Sequence, residues 1–489
     1  MRRVSRDARL LVLCGLLLTG HAAAQETAAV IKAETRSPTP DQIRAGFIAM
    51  ETRVFALYPV PYRYHSGIEW RRRFRTIQRN AADMTPAQVF VESARVMGML
   101  RDAHSWASID NGAPLLSRAV PLRFWWFDDG LYIRAASPEN APLVGARVEG
   151  IEGVPVEEVL TRLTAVQPGA NAMQGLVFAQ IYLEFPEYLH AIGIGKDDAA
   201  LSLTLTLSSG ERRTVSVPPV QYADYSEAYL ASKGFTTPAG WAEPPAAQAA
   251  IWMAQRAKPF WYRHDPLRRL VYLQINEGVL DPEHPYDTEV DRYTPFIKEL
   301  FEFIAAQGVQ TLVVDLRHNA GGDSRMYDPL VRGIIRSQVL DRPGHTFVLT
   351  SRLTESAAVA WCAQLEGATA VLFAGEMTAD PPNYYNDPAG FRRETFHIPG
   401  SRVNYRIARA LDIWSAASTD ERVGIAPDLP ATMRYADFAS GRDTAMERVL
   451  SLNPQSARVL FETKDGDDTT EYPYLHYRRL SQDVARDPR

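Results

Sequence analysis

The first apolar pattern along the chain has the spacing of α-helices and runs from Asp41 to Ala103. Thr85 followed by Pro86 is a typical helix start, and apolar residues recur behind it at intervals of three and four, at Val89, Phe90, Ala94, Val96, Met97 and Leu100. This pattern predicts a helix that ends near Arg101 and Asp102. His104 then lies just beyond the end of that helix.

The next hundred residues change to the two-residue alternation of β-strands. Two apolar runs flank Asp128, Asp129 and Gly130, which predicts a hairpin. A second hairpin is predicted from Leu201 onward, with its turn at Ser209 and Gly210, and a helix begins near Val156 between the two hairpins. A compact β-rich module is therefore expected between residues 113 and 218.

The C-terminal half repeats short continuous apolar runs separated by helical stretches. Such runs are typical of strands that are buried on both faces of a parallel sheet. Thr294 and Pro295 predict the N-cap and first residue of one helix, and a second helix is expected from Ala357 to Glu366. Strand, helix and strand in this order predict right-handed βαβ units.

Composition limits the possible functions. The chain has 489 residues, is 46% hydrophobic and 23% charged, and carries a formal net charge of −5. Its length suggests about three domains. The first 24 residues contribute a charge of +3 and the remainder −8. This balance argues against nucleic-acid binding, which usually requires a basic surface.

The N-terminus has the pattern of a secretory signal. Arginines precede an apolar run from Leu10 to Leu18, and Ala22 and Ala24 provide the small residues before a cleavage site. The run is too short to span a bilayer, and no later segment is a candidate span. We therefore expect an exported protein, periplasmic or secreted. Removal of the signal leaves Cys362 as the single cysteine, so no internal disulfide is expected.

Two short segments carry candidate chemistry. Ser356 lies where a strand and a short loop enter a helix, so its hydroxyl would face the positive end of the helix dipole beside the Ala357 N–H. An ordinary N-cap serine is the alternative from local sequence. Gly321 and Gly322 follow the apolar run at Leu312 and could present backbone N–H groups to an oxyanion. A simple glycine turn is the alternative there.

Several motifs together resemble one family. The segment DLRHNAGG (315–322) resembles the DLRxNxGG signature of the C-terminal processing (tail-specific) serine peptidases. Four further segments, in the order of the family, are similar to its other elements: LRDAHS (100–105), LTESAAVAW (353–361), GEMTADPPNYYND (375–387) and STDERVGIAPDLP (418–430). The similarity covers most of residues 45 to 452, and the helix expected after Asp443 resembles the end of the family's core.

The resemblance implies roles for particular residues. Ser356 is the implied nucleophile and His104 its base, as in the histidine-using branch related to the tricorn core protease and to retinoid-binding relatives. A lysine base at the usual place is excluded, because residues 357 to 390 contain no lysine. His318 is the rival base. The remaining implied groups are Glu421 or Asp420 to orient the histidine, Ser105 as an auxiliary residue, and Gly321 or Gly322 with Ala357 as oxyanion donors.

Four residues depart from the family pattern. Val359 stands where a glutamate is usual, Ala379 and Asp380 replace two glycines, and Glu355 adds a negative charge next to Ser356.

The resulting expectation is an α/β (α+β multi-domain) fold with a crotonase-like ββα core. We expect a signal peptide (1–24), an N-terminal helical region (25–112), a PDZ-like domain (113–218), a linker or cap (219–262), a serine peptidase core (263–452) and a charged C-terminal tail (453–489). A PDZ domain would add a peptide to a sheet edge, whereas a purely structural β-module is the alternative.

The expected activity is hydrolysis of polypeptides by a Ser-His acyl-enzyme mechanism, without cofactor or metal. The expected partner is a polypeptide substrate, with no nucleic acid and no membrane insertion after signal cleavage. An inactive member that binds peptides or small apolar ligands is one alternative. A hydrolase of non-peptide esters or amides is the other, because a fold does not determine a substrate.

Overall fold

The computed structural model describes residues 37–110, 113–222, 237–280, 291–387, 394–416 and 418–463. The expected signal peptide and most of the charged tail lie outside these ranges. The described residues form a mixed α/β fold with several sheets, which confirms the predicted fold class. None of the helices in these ranges has the length and apolarity needed to cross a bilayer.

Three capped helices form the N-terminal region: α1 (Pro40–Leu57), α2 (Gly67–Asn80) and α3 (Pro86–Gly98). Each begins with a capping box, in which the N-cap side chain bonds the amide of the third helical residue and the side chain of that residue bonds back. The helix predicted behind Thr85 is therefore confirmed. The chain then enters β1 (Ala107–Ile109), which pairs with the distant strand β17 (Val403–Tyr405).

The middle of the chain is built on an antiparallel sheet with the strand order β3-β4-β5-β7-β8. Both predicted hairpins are present. The strands are β2 (Arg118–Ala119), β3 (Leu122–Phe127), β4 (Gly130–Ala136), β5 (Arg147–Ile151), β6 (Val154–Pro155), β7 (Leu201–Thr206), β8 (Arg212–Val217) and β9 (Val220–Gln221). The helices are α4 (Val156–Val166), α5 (Ala172–Tyr182) and α6 (Pro186–Ala191).

The outer edge of β3 is bonded by the protein's own side chains. The Trp126 N–H donates to Gln180 Oε1 at 3.5 Å, and the Trp126 carbonyl accepts from Arg352 Nη1 at 2.9 Å. An extended peptide that joined the sheet here would have to displace both contacts. These contacts concern one residue of this edge, and the PDZ-like character of the module stays a prediction.

The C-terminal half contains a sheet of six strands in the order β10-β11-β12-β13-β14-β19. The strands from β11 to β19 are parallel neighbours, and β10 is antiparallel. Their bounds are β10 (Phe260–Asp265), β11 (Leu270–Ile275), β12 (Thr311–Asp315), β13 (Thr346–Thr350), β14 (Leu372–Gly375) and β19 (Leu429–Pro430). Side chains of β11 and β12 alternate between two apolar clusters, one on each face of the sheet.

Helices cover this sheet and complete the domain. Two helices, α7 (Pro245–Ala249) and α11 (Tyr435–Ala439), pack through Ala247 and Phe438 into the apolar cluster of the preceding regions instead. The helices on the sheet are α8 (Tyr293–Ala306), α9 (Tyr327–Arg336), α10 (Ala357–Ala368), α12 (Thr444–Ser451) and α13 (Pro454–Thr463). The predicted N-cap at Thr294 is wrong, because α8 begins at Tyr293, two residues before the expected first residue Pro295, and the Thr294 amide bonds the Asp291 carboxylate. Small antiparallel strands complete the core, namely β15 (Asn383–Asn386), β16 (Phe396–His397), β17 and β18 (Ala410–Ile413).

Candidate active site

Ser356 occupies a strained turn between β13 and α10. Its backbone angles are φ 55° and ψ −125°, a conformation that costs energy for a residue with a side chain. Ser356 is the N-cap of α10, yet its side chain makes no capping hydrogen bond. Its Oγ instead lies 2.9 Å from Nε2 of His104. The strained backbone therefore goes together with a hydroxyl that points away from its own helix and toward an imidazole.

His104 lies in the loop between α3 and β1 and is only 5% exposed. Its backbone N–H donates to Asp102 Oδ1 at 3.0 Å, and the Ser105 hydroxyl donates to Asp102 Oδ2 at 2.5 Å. Ser105 Oγ also accepts the Ala408 N–H at 2.9 Å. These three hydrogen bonds hold His104 and Ser105 in place. Ser105 therefore helps to support the loop that carries His104.

The imidazole of His104 is also held by a ring contact. Tyr384 of β15 stacks on it with 4.9 Å between ring centroids and 17° between planes. Burial raises the pKa of Tyr384 well above its usual value, with the carboxylates of Asp380 and Asp412 adding to the shift, and its hydroxyl faces the Ser356 side chain. Tyr384 therefore contacts both proposed members of the pair. Sequence reasoning missed it, although it lies within one of the recognised motifs.

Asp102, in the loop that carries His104, has an unusually high pKa for a carboxyl group. Burial raises its pKa to about 6, against the opposing effect of the hydrogen bonds from Ser105 and the His104 amide. A half-buried carboxylate that holds a loop by two hydrogen bonds is costly to ionise and costly to remove. Sequence analysis gave this residue no role of its own, although it lies within the LRDAHS motif.

The diglycine turn lies directly against the nucleophile. Gly321 has φ 100° and Gly322 has φ 129°, both in the region that glycine alone adopts readily. A Cβ added to Gly321 would meet Ser356 Cβ at 2.6 Å and the Ala357 nitrogen at 2.9 Å. Only glycine can therefore bring its backbone this close to the start of α10.

The three predicted oxyanion donors differ in availability. The Gly321 N–H already donates to Asn319 Oδ1 at 2.8 Å. Ala357 is the first residue of α10, and the first amides of a helix have no intrahelical acceptor. Gly322 and Ala357 are therefore the better pair of candidates, with Gly321 as the residue that allows the close approach.

The other polar residues of the signature form a scaffold. Arg317 Nη2 donates to Asp315 Oδ2 at 2.6 Å and to Asp443 Oδ2 at 2.8 Å, which ties the turn after β12 to the start of α12. Tyr272 of β11 donates to the same Asp315 oxygen at 2.5 Å. This buried network fixes the sheet end from which the diglycine turn departs.

His318, the rival base, has a different environment from His104. Its ring stacks on Trp252 with 5.5 Å between centroids and 13° between planes, and its Nε2 lies 3.1 Å from the Trp252 carbonyl oxygen. Burial lowers its pKa well below the usual value, and the nearby Arg256 and Arg317 add to this effect. These contacts favour a packing role for His318.

The side chain of Asp380 contacts the backbone of Ser356. Its Oδ2 accepts the Ser356 N–H at 2.6 Å, and its Oδ1 accepts from Gln174 Nε2 at 3.3 Å. The same Gln174 amide donates to Glu355 Oε1 at 3.1 Å. Gln174 belongs to α5, so the β-rich module reaches the residues around the nucleophile. The sequence recorded Asp380 only as a departure from a glycine pair.

Glu421 and Asp420 lie on the rim of a neighbouring cleft. Glu421 is 80% exposed, with its Oε1 3.5 Å from Arg63 Nη2, and Asp420 Oδ2 lies 2.8 Å from Arg422 Nη2. Both acids therefore have arginine partners, and the orienting role that the resemblance implies for Glu421 stays a prediction.

The cleft itself has a volume of about 630 Å³, and its lining includes Ala103 and Tyr384, which are neighbours of His104, but neither His104 nor Ser356. Its walls combine aromatic, proline and arginine side chains, including Tyr58, Pro59, Tyr62, Arg63, Tyr64 and Tyr385. Tyr62 is 60% exposed at its mouth. An open cleft beside a serine and a histidine can admit an extended chain as well as a small molecule.

Comparisons with known proteins show which solved structures share this fold. No protein-family model matches the chain, and no curated protein matches it in sequence. The structure of a serine-to-alanine mutant of CPAF matches with a TM-score of 0.58 at 12% identity, over 87% of this chain and 98% of that one. Mature CPAF matches with a TM-score of 0.55 at 13% identity, over 88% and 99%.

A third solved structure, the photosystem II D1 C-terminal processing protease, is 14% identical over 82% of this chain and 98% of that one. Its TM-score of 0.36 is too low to carry an argument about the fold. We conclude that the chain has the fold of CPAF over most of its length.

Proposed function

We propose that this protein is an exported serine peptidase that cleaves polypeptides through an acyl-enzyme. The observation that carries the proposal is the 2.9 Å distance between Ser356 Oγ and His104 Nε2, two residues 252 positions apart in the chain. A general base must lie within hydrogen-bond reach of the proton that it removes. Ser356 also stands at the N-terminus of α10 beside the diglycine turn, where a negative oxygen is stabilised.

The proposed reaction has two halves. His104 Nε2 takes the proton from the Ser356 hydroxyl while Oγ forms a bond to the peptide carbonyl carbon, and the carbonyl oxygen becomes the oxyanion. The N–H groups of Gly322 and Ala357 hold that oxygen. The imidazolium then protonates the leaving amine, and the C–N bond breaks to leave an ester on Ser356. Water, deprotonated by His104, releases the carboxylic acid and restores the serine.

Two further features support a polypeptide substrate and an exported enzyme. The cleft beside Tyr384 is large enough for several residues of an extended chain. One CPAF structure with the same fold is a complex with lactacystin, so a protein of this fold binds a small molecule. Export rests on the N-terminal sequence alone, with its arginines, short apolar run and small residues before position 25.

The first test is covalent labelling by a fluorophosphonate probe, which reacts with activated serines. We expect the wild-type protein to be labelled and Ser356→Ala to be inert. Ser418→Ala is the matched control, because Ser418 lines the same cleft without contacting the proposed pair. Folded wild-type protein that is not labelled would refute the proposed activity and favour a binding protein. If the protein is labelled, parallel casein and ester assays separate a peptidase from an esterase.

A further inference from the structure

The start of α10 lacks the capping arrangement that this chain uses at its N-terminal helices. At α1, α2 and α3 the N-cap amide bonds the side chain of the third helical residue, which is Gln42, Glu69 or Gln88. The third residue of α10 is Val359, which is buried and has no acceptor. Ser356 therefore cannot form a capping box with its own helix.

Asp380 supplies the missing acceptor from another segment of the chain. Its Oδ2 lies 2.6 Å from the Ser356 nitrogen, which is the same bond that Gln42 and Glu69 make to their N-cap amides. The Asp380 side chain is fully buried, and its second oxygen is bonded by Gln174. A carboxylate at a helix N-terminus is favourable both through the helix dipole and through a charge-assisted hydrogen bond.

We infer that Asp380 is a positioning residue that holds Ser356 in its strained conformation and so aims the hydroxyl at His104. With its amide held from outside the helix, Ser356 keeps φ 55° and its Oγ stays out of the capping role. Without Asp380, Ser356 would relax toward negative φ, and its hydroxyl would accept an amide of its own helix, as an N-cap serine normally does. The catalytic consequence of this inference rests on the proposed serine peptidase activity.

The inference also assigns a role to the β-rich module. Gln174 of α5 bonds both Asp380 and Glu355, and Asn171, the N-cap of α5, donates to the Thr378 carbonyl at 2.9 Å. The module therefore holds the segment that carries Asp380. We expect Gln174→Leu to weaken the support of Ser356 less than a change at Asp380, since the direct bond remains.

The kinetic test compares Asp380→Ala with Asp380→Asn. Asparagine keeps an oxygen that can accept the Ser356 amide, whereas alanine removes it. We expect the fluorophosphonate labelling rate to fall by about 100-fold in Asp380→Ala, the size expected for a misplaced reacting group. Asp380→Asn should recover at least part of that loss. Asp428→Ala is the control, because Asp428 also accepts a backbone N–H, that of Phe373 at 2.7 Å.

The controls separate positioning from simple destabilisation. Asp428→Ala should lower the melting temperature while its folded fraction keeps the wild-type labelling rate. Labelling of Asp380→Ala within twofold of wild type, or equal losses for the alanine and asparagine variants, would overturn the inference while the proposed activity stands.

Crystal structures of wild type and Asp380→Ala provide a readout that does not depend on activity. We expect Ser356 to leave the positive-φ region in the variant and its Oγ to move out of hydrogen-bond distance of His104 Nε2. An unchanged Ser356 conformation in Asp380→Ala would overturn the inference, whether or not the wild-type protein is labelled. Absence of labelling in the wild-type protein would instead refute the proposed function.

Discussion

The two side chains proposed to react come from regions that are built in different ways. Ser356 stands at the end of a parallel sheet, and its strained turn is packed by the diglycine of the neighbouring strand end. His104 stands in a loop after a peripheral helix, and its position depends on contacts with residues about 280 to 300 positions later in the chain, Tyr384 and Ala408 among them. The nucleophile is therefore placed mainly by its own domain, and the base by long-range packing.

This difference shows where the site is most sensitive. A change near Ser356 acts on a backbone held by a buried sheet, so it should show itself first in the geometry of attack. A change around His104 acts on a loop whose supporting contacts include the Asp102 carboxylate, the Ser105 hydroxyl and the Tyr384 ring. We expect such changes to alter the pH dependence and orientation of the base before they unfold the protein.

The largest effect is expected from a comparison of the two histidines. His104→Gln should lower the fluorophosphonate labelling rate by at least about 10³-fold, because the group that takes the serine proton is lost. Its melting temperature should stay close to that of wild type. His318→Gln should lower the melting temperature, because its ring packs on Trp252, and should leave the labelling rate of the folded fraction unchanged. The reverse pattern would make His318 the base.

A smaller effect is expected at Tyr384, measured as the pH dependence of labelling. Tyr384→Leu removes the ring that stacks on His104, so the imidazolium loses an aromatic neighbour that favours its charge. We expect a rate loss of about 10-fold and a lower pKa in the pH–rate profile. Tyr384→Phe keeps the ring and should retain the wild-type profile. A leucine variant with an unchanged profile would show that the stack has no part in holding the base.

A pH-dependent stability effect is expected at Asp102. Its pKa is higher in the folded protein than in the unfolded chain, so the folded state binds the proton more tightly. This carboxyl therefore lowers the free energy of unfolding as the pH rises from about 4 to about 6, by up to about 3 kcal/mol. Asp102→Asn removes this dependence, so its stability relative to wild type should be higher at pH 8 than at pH 4 in denaturant unfolding.

Two residues beside Asp102, Tyr58 and Arg101, border the same cleft. Asp102 adds to the raised pKa of Tyr58, so Tyr58 is the neighbour to check in that experiment. Tyr58→Phe should therefore leave the pH dependence between 4 and 8 in place. A stability difference between Asp102→Asn and wild type that does not change with pH would contradict the raised pKa.

The smallest effect is expected at Glu421. Because this carboxylate is 80% exposed and faces Arg63, Glu421→Gln should change the labelling rate by less than about threefold. Arg63→Gln is its matched partner and should have a similar effect if the two act as a pair. A loss for Glu421→Gln as large as that for His104→Gln would instead show that Glu421 orients the base, as the resemblance predicts.

Local sequence alone determined most of the secondary structure. The Thr85–Pro86 start, the hairpin turn at Gly130 and the apolar run around residue 312 all appear as expected. Such patterns work because helix caps, turns and buried strands depend on residues only a few positions apart. The motif resemblance extended this to the overall fold, and the solved structures support it.

The tertiary structure alone decided which groups meet. The 2.9 Å contact between Ser356 and His104 and the stacking of His318 on Trp252 depend on segments far apart in the chain. Asp380 is the clearest case, since its sequence context marked it only as an irregularity, while the fold places its carboxylate on the Ser356 amide. Contacts between distant segments depend on the packing of the whole domain, which local residue patterns do not encode.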